Sequence, residues 1–179
     1  MRHRSAVIAG VVAVLAVAFV ALLATRKPAS TDSTGAAVVG ELAPSLTGVG
    51  LDGAPFDLDK QRGQWVLVNF FATWCPPCVQ EQPELVKFAA DHAGTAQVVS
   101  VAYGDTPDRV RSFFAKSGGD WPVLTDAATS EAASLDYGVV KLPESFLVNP
   151  EGKVVAKLNG GTTAAQLDDL IAGRTGGGS

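Results

Sequence analysis

This 179-residue chain has little sulfur: two cysteines, and Met1 as its only methionine. Two cysteines cannot build a tetrahedral four-cysteine zinc site, and His3 and His92, the only histidines, are poorly placed to complete one. No methionine-rich segment supports a Cu(I)-binding module, although two thiolates would suit that soft ion. A separate peroxidatic cysteine is also missing, because Cys75 and Cys78 stand together in one C-x-x-C. A structural staple is a poor reading of that pair, since so small a loop removes little unfolded-state entropy. Charge of one sign is scarce as well. Without Arg2, Arg4, Arg26 and Lys27, 10 cations face 18 acids, a net charge of −8. No basic patch offsets this, so nucleic acid is excluded as a partner.

One long hydrophobic run is present. Ala6 to Ala24 is nineteen residues without a charge, following Arg2 and Arg4. At about 1.5 Å per helical residue it just crosses a hydrocarbon core of about 30 Å. It exceeds the roughly 7–15 residues of a signal h-region and lacks a clean Ala-x-Ala directly after it. The expectation is an uncleaved signal anchor over residues 1–27, with the rest of the chain outside the cytoplasm in a single-pass arrangement. A signal peptide cleaved to leave a secreted domain is the alternative. Residues 28–40, rich in Ser, Thr, Ala and Gly, read as a flexible linker, and 173–179 as a disordered tail.

The domain between them, 41–172, alternates element types. Leu46 to Leu51 and Pro55 to Leu58 flank Asp52-Gly53 as a hairpin. Trp65 to Phe71 is a near-continuous apolar run, as expected of a strand buried on both faces. Helix follows from Pro77 to about His92, strand from Gln97 to Tyr103, and helix from Thr106 to Lys116. After a short extended Trp121–Leu124 come a helix from Ala127 to Leu135, strands Glu144–Val148 and Lys153–Leu158, and a last helix Thr163–Ile171 with Thr163 as N-cap. The pattern predicts an α/β fold, a central mixed sheet flanked by helices.

Within it, Trp74-Cys75-Pro76-Pro77-Cys78 opens a helix after a buried strand, the setting of a dithiol/disulfide switch. Helix N-termini present unpaired N–H groups and partial positive charge, which favour a thiolate at Cys75. Cys75 is then the nucleophile, and Cys78, one turn inside, the resolving thiol. Pro76 and Pro77 lack N–H groups, so the loop offers the Cys75 sulfur few donors and favours the disulfide form, the trait of a reductant. An oxidase that installs disulfides in secreted proteins is the alternative. Glu81, one turn beyond Cys78, can reach the inner thiol and, with its pKa raised by burial, accept its proton. A solvated helix glutamate is the plainer reading, and Glu84 reads as surface. Phe70, Phe71, Trp65 and Phe146 read as core, Trp74 as both core and site, and Trp121 as packing an insertion helix onto the sheet. His92 reads as a solvated residue.

Val68-Asn69-Phe70-Phe71-Ala72-Thr73-Trp74-Cys75-Pro76-Pro77-Cys78, with Glu81, Pro83 and Leu85, resembles the thioredoxin fold in its exported TlpA-like branch. Tyr137-Gly138-Val139, Leu142 to Val148 and Gly152 to Val155 extend the likeness over the whole domain, with an N-terminal β-hairpin and a central insertion at about Gly104–Leu135. The resemblance implies a thiol:disulfide oxidoreductase without cofactor or metal, typically membrane-anchored and facing out. Its implied partners are protein thiols and disulfides of exported proteins, such as the haem-attachment cysteines of apocytochrome c. A reductant of this kind implies a membrane electron donor. The resemblance further implies a redox-active Cys75–Cys78 disulfide and a cis Leu142–Pro143 bond beside it. Trp74, Leu142 and Pro143 would then bind substrate, Leu142 through its backbone. Asn69 replaces the buried aspartate of thioredoxin, so that proton carrier is missing. Glu144 is open to two readings, partner choice or an ordinary surface position.

Overall fold

A computed structural model describes residues 37–175. The apolar run at 6–24, the linker as far as residue 36 and residues 176–179 lie outside the described residues. Among the described residues, no helix is long and apolar enough to cross a membrane.

Among the described residues, seven strands and four α-helices follow one another as the hydrophobic pattern predicts. Strands β1 (Thr47–Val49) and β2 (Pro55–Asp57) pair antiparallel as the expected hairpin, whose turn contains Gly53 at φ 82°. Strand β3 (Trp65–Phe71) is buried at all seven residues. Helix α1 (Pro76–Asp91) leads to β4 (Ala96–Ala102), parallel to β3. The insertion supplies α2 (Pro107–Ser117), β5 (Val123–Leu124) and α3 (Ala127–Asp136). Strands β6 (Glu144–Val148) and β7 (Val154–Asn159) run antiparallel to their neighbours, and α4 (Ala164–Thr175) closes the chain. The sheet order is β5-β4-β3-β6-β7, the mixed sheet expected of a thioredoxin-like fold.

Strand parity sorts β3 between two cores, because successive side chains point to opposite faces. Val66, Val68 and Phe70 join Leu46, Phe56, Tyr137 and Phe146 on the hairpin side. Trp65 and Leu67 join Leu85, Phe88 and Leu167 on the side of α1 and α4. Asn69 shares parity with Leu67, and its cross-strand partner on β6 is Ser145. Strand β3 thus sets a polar residue in the α1-facing core. Trp121 ties α2 to the sheet as expected: its indole N–H donates to Ser100 Oγ at 2.8 Å, and its ring meets Phe114 edge-on.

Three surface readings need correction. Glu84 is half-buried and accepts the Ala164 N–H at 2.9 Å, capping α4, where a carboxylate complements the helix dipole. His92, the C-cap of α1, pairs through Nε2 with Asp168 Oδ1 at 2.8 Å. Glu144 is wholly buried at the start of β6, so its surface reading fails. Strand β7 lies across from it and covers the position. Composition also gives the boundaries loosely: Ala37 is buried, Gly40 N–H donates to Val154 O, and α4 runs to Thr175.

Candidate active site

Cys75 and Cys78 form a disulfide with Cα atoms 5.3 Å apart. Cys75 is the N-cap of α1, with extended backbone at φ −92° and ψ 108°. Its Sγ accepts the Cys78 N–H at 3.3 Å. The first two helical positions are Pro76 and Pro77, so the donors a helix start normally presents are missing there. Both sulfur-bearing residues are nearly covered, at 4% and 2% exposure.

The disulfide stands at the edge of an open cleft of about 410 Å³, lined by Trp74, Cys75, Pro76, Pro77, Tyr103 and the segment Val139–Leu142. Cleft and cysteines lie beyond the carboxyl ends of β3 and β4, the usual place for ligands in α/β sheets. Trp74 is 56% exposed, which corrects its expected share in the core. Its ring stands out as a cleft wall, and its Nε1–H donates to Gly104 O at 3.1 Å. Asp105 fixes the same approach: its Oδ2 accepts the Thr73 N–H at 2.7 Å and the Thr73 hydroxyl at 2.6 Å. The turn after β4 thus holds the residues leading into Cys75.

Across the cleft, the Leu142–Pro143 peptide is cis, as the resemblance implies, and Pro143 O accepts the Gly160 N–H at 2.9 Å. Leu142 lines the cleft together with Val140 and Lys141.

On α1, one turn beyond Cys78, Glu81 is 3% exposed, so the solvated reading fails. Its Oε2 accepts the Thr162 N–H at 3.1 Å and its Oε1 the Asn69 Nδ2–H at 2.9 Å. Burial drives the Glu81 pKa up from 4.5 to about 7, against the lowering effect of those two donors. The same Asn69 amide nitrogen donates to Ser145 Oγ at 3.0 Å. Asn69 therefore occupies the aspartate position of thioredoxin as the donor that orients a carboxylate reaching in from α1. Gly161 lies over this group; a Cβ there would be 3.7 Å from Glu81 Cβ.

Residues 38–171 match the Redoxin family model. The chain belongs to the Redoxin family. This Redoxin is 35% identical over 144 residues to the thiol:disulfide interchange protein HelX of Rhodobacter capsulatus, covering 76% of the chain and 79% of HelX. It is 32% identical over 134 residues to the thiol-disulfide oxidoreductase ResA of Bacillus subtilis, covering 74% and 73%. A crystal structure of a thiol:disulfide interchange protein of the thioredoxin family from Chlorobium tepidum superposes with a TM-score of 0.68 at 30% identity. It covers 76% of this chain and 97% of that one.

The structure brings Trp74, Cys75 and Leu142 to one cleft, puts Pro143 next to it in the chain, and buries Glu81 on α1 one turn beyond Cys78. Sequence reasoning missed Tyr103 and Val140 as cleft walls, and Thr162 and Ser145 as members of the polar network. Tyr103 follows directly on the carboxyl end of β4, which was a usable signal. Thr162 gave none, because its contact with Glu81 spans 81 residues of chain.

Proposed function

We propose that this thiol–disulfide oxidoreductase donates electrons to disulfides of exported proteins, apocytochrome c among them. Cys75 starts the exchange and Cys78 completes it. The observation that carries the reading is Cys75 as the N-cap of α1 at the edge of a peptide-sized cleft, with Glu81 buried one turn beyond Cys78.

In the reduced protein the Cys75 thiolate attacks one sulfur of the partner disulfide. That S–S bond breaks, a mixed disulfide forms, and the partner's other sulfur leaves and takes a proton. Glu81 then accepts the Cys78 proton, for which a pKa near 7 suits it. The Cys78 thiolate attacks Cys75 Sγ, forming the disulfide seen here and freeing the second partner thiol. Two electrons pass to the partner, and a dithiol donor at the membrane restores the pair. Trp74 and the Leu142–Pro143 segment bind the partner chain, with Leu142 offering its backbone as a short strand pairing. The scarcity of donors at Cys75 Sγ supports the electron-donating direction, because a less stabilised thiolate favours the disulfide. Anchoring through residues 6–24 would place the domain outside the cytoplasm.

Trapping tests the reading. Cys78→Ser should accumulate exported proteins bound to Cys75 as mixed disulfides, while the doubly substituted chain captures none. In cells the wild-type pair should be found reduced. Equilibration with glutathione should give a potential nearer thioredoxin than the strong oxidants; a value above about −150 mV would refute the reductant reading.

A further inference from the structure

Glu144 has no part in the exchange just described, and it is the more deeply covered of the two buried glutamates. None of its surface is exposed, and it directly follows the cis peptide. Parity places it on the hairpin-side face with Phe146, away from Glu81. Across β6 and β7, Phe146 faces Lys157, so Glu144 and Lys157 are diagonal neighbours on one face. Lys157 Nζ lies 3.4 Å from Glu144 Oε2, 5.1 Å from the centre of the Phe146 ring, and donates to Gly138 O at 3.1 Å. Glu144 Oε2 also accepts the Val140 N–H at 3.3 Å, while Oε1 has no hydrogen-bond partner among the described residues.

These bonds converge on one short segment. Gly138 and Val139 close the end of α3 through Leu135 O and Ser134 O. Gly138 O and Val140 N–H are then gripped from below by the Lys157–Glu144 pair. Val139, Val140, Lys141 and Leu142 form the cleft wall facing Trp74 and Cys75. Val140 itself is 84% exposed, so no packing of its own side chain holds it down. A buried carboxylate with one oxygen unpartnered is costly, and a hydrophobic residue would fill the position more cheaply. Here the ion pair bonds to the backbone of the segment that forms the cleft wall.

We propose that Glu144 and Lys157 form a latch that sets the position of the Val139–Leu142 wall and so determines how well an extended protein disulfide seats against Cys75. Both are positioning residues; neither touches the reacting sulfurs. The proposal rests on the exchange reading, from which its test separates it.

The experiment measures oxidation of the reduced domain by a cysteine-bridged peptide and by a small aromatic disulfide too short to reach the wall. Glu144→Met removes the acceptor and the charge while keeping an unbranched side chain of similar length. It should raise KM for the peptide about tenfold, the scale of one lost charge-assisted hydrogen bond, with kcat and the small-disulfide rate within about twofold. Amide exchange at Val140, followed by NMR, should accelerate in parallel. Glu144→Gln keeps an acceptor for Val140 N–H and should recover part of the peptide affinity; Lys157→Met should resemble Glu144→Met. Should Glu144→Met fail to fold, Glu144→Gln and Lys157→Met carry the same test. Equal losses on both disulfides, or an unchanged peptide KM with Val140 exchange unaltered, would overturn the latch. A wild-type domain that exchanges with neither disulfide would instead refute the exchange reading beneath it.

Discussion

Glu81 and Glu144 are both buried glutamates at the same end of the sheet, yet opposite faces treat them differently. On the α1 face, Glu81 is met by neutral donors only, the Thr162 N–H and the Asn69 amide. On the hairpin face, Glu144 is met by the Lys157 ammonium. Neutral donors offset only part of the cost of burying a charge, so the Glu81 pKa rises to about 7 and its proton can come and go near neutrality. A cation supplies a countercharge, which suits Glu144 to holding backbone in place. What a buried carboxylate does depends on whether its partner carries charge.

The largest expected effect is on stability. The unfolded chain ionises Glu81 at its ordinary pKa of 4.5, whereas the folded, oxidised protein keeps it protonated up to about pH 7. The folded state binds the extra proton between those values, so stability should fall as pH rises through that window, by up to about 3 kcal/mol. Denaturant titrations of wild type and Glu81→Gln at about pH 4 and pH 8 check this, because the Gln variant should lack the drop.

Next in size is the rate. Glu81→Gln removes the proton acceptor for Cys78 and should slow resolution of the mixed disulfide about 10²-fold, leaving attack by Cys75 little changed. Rapid-mixing kinetics with a trapped mixed disulfide separates the two steps. If both steps slow equally, the difference drawn between the two glutamates loses its catalytic meaning.

Asn69→Ala sharpens the same point. It strips a donor from Glu81 and should move the carboxyl pKa further up, shifting the pH step in resolution with it. The unsatisfied Glu81 and Ser145 groups should cost about 1–3 kcal/mol of stability. A smaller effect belongs to the hairpin face. Tyr137, with its phenol pKa raised by burial, donates to Pro44 O at 2.9 Å. Tyr137→Phe should lose about 1 kcal/mol in thermal or denaturant unfolding, with exchange kinetics unaltered.

Local features of the chain were legible from sequence. The continuous apolar run of β3, the cysteine at a helix start and the prolines behind it are short-range patterns, and the structure places all three as expected. Burial of Glu144 was not legible. A glutamate after proline at a strand start has the composition of a surface position, and it is covered only because β7 pairs across from it and brings Lys157 diagonally over. Trp74 failed in the opposite direction. It reads as both core and site, and only its share in the core fails: its indole nitrogen is held by Gly104 O, thirty residues on, and the ring stands out in the cleft. The role of Asn69 lay between these cases. Parity on β3 gives its face, but its partner Glu81 follows only from how α1 packs on the sheet.

The most direct test of Glu81 as the mobile proton acceptor is an NMR titration of its side-chain carboxyl carbon in the oxidised domain. A midpoint near 7, well above the ordinary glutamate value, is the outcome expected of a buried carboxyl held by neutral donors. A midpoint at about 4.5 would make the Glu81 carboxylate too weak a base to hold the Cys78 proton near neutral pH, and would contradict it.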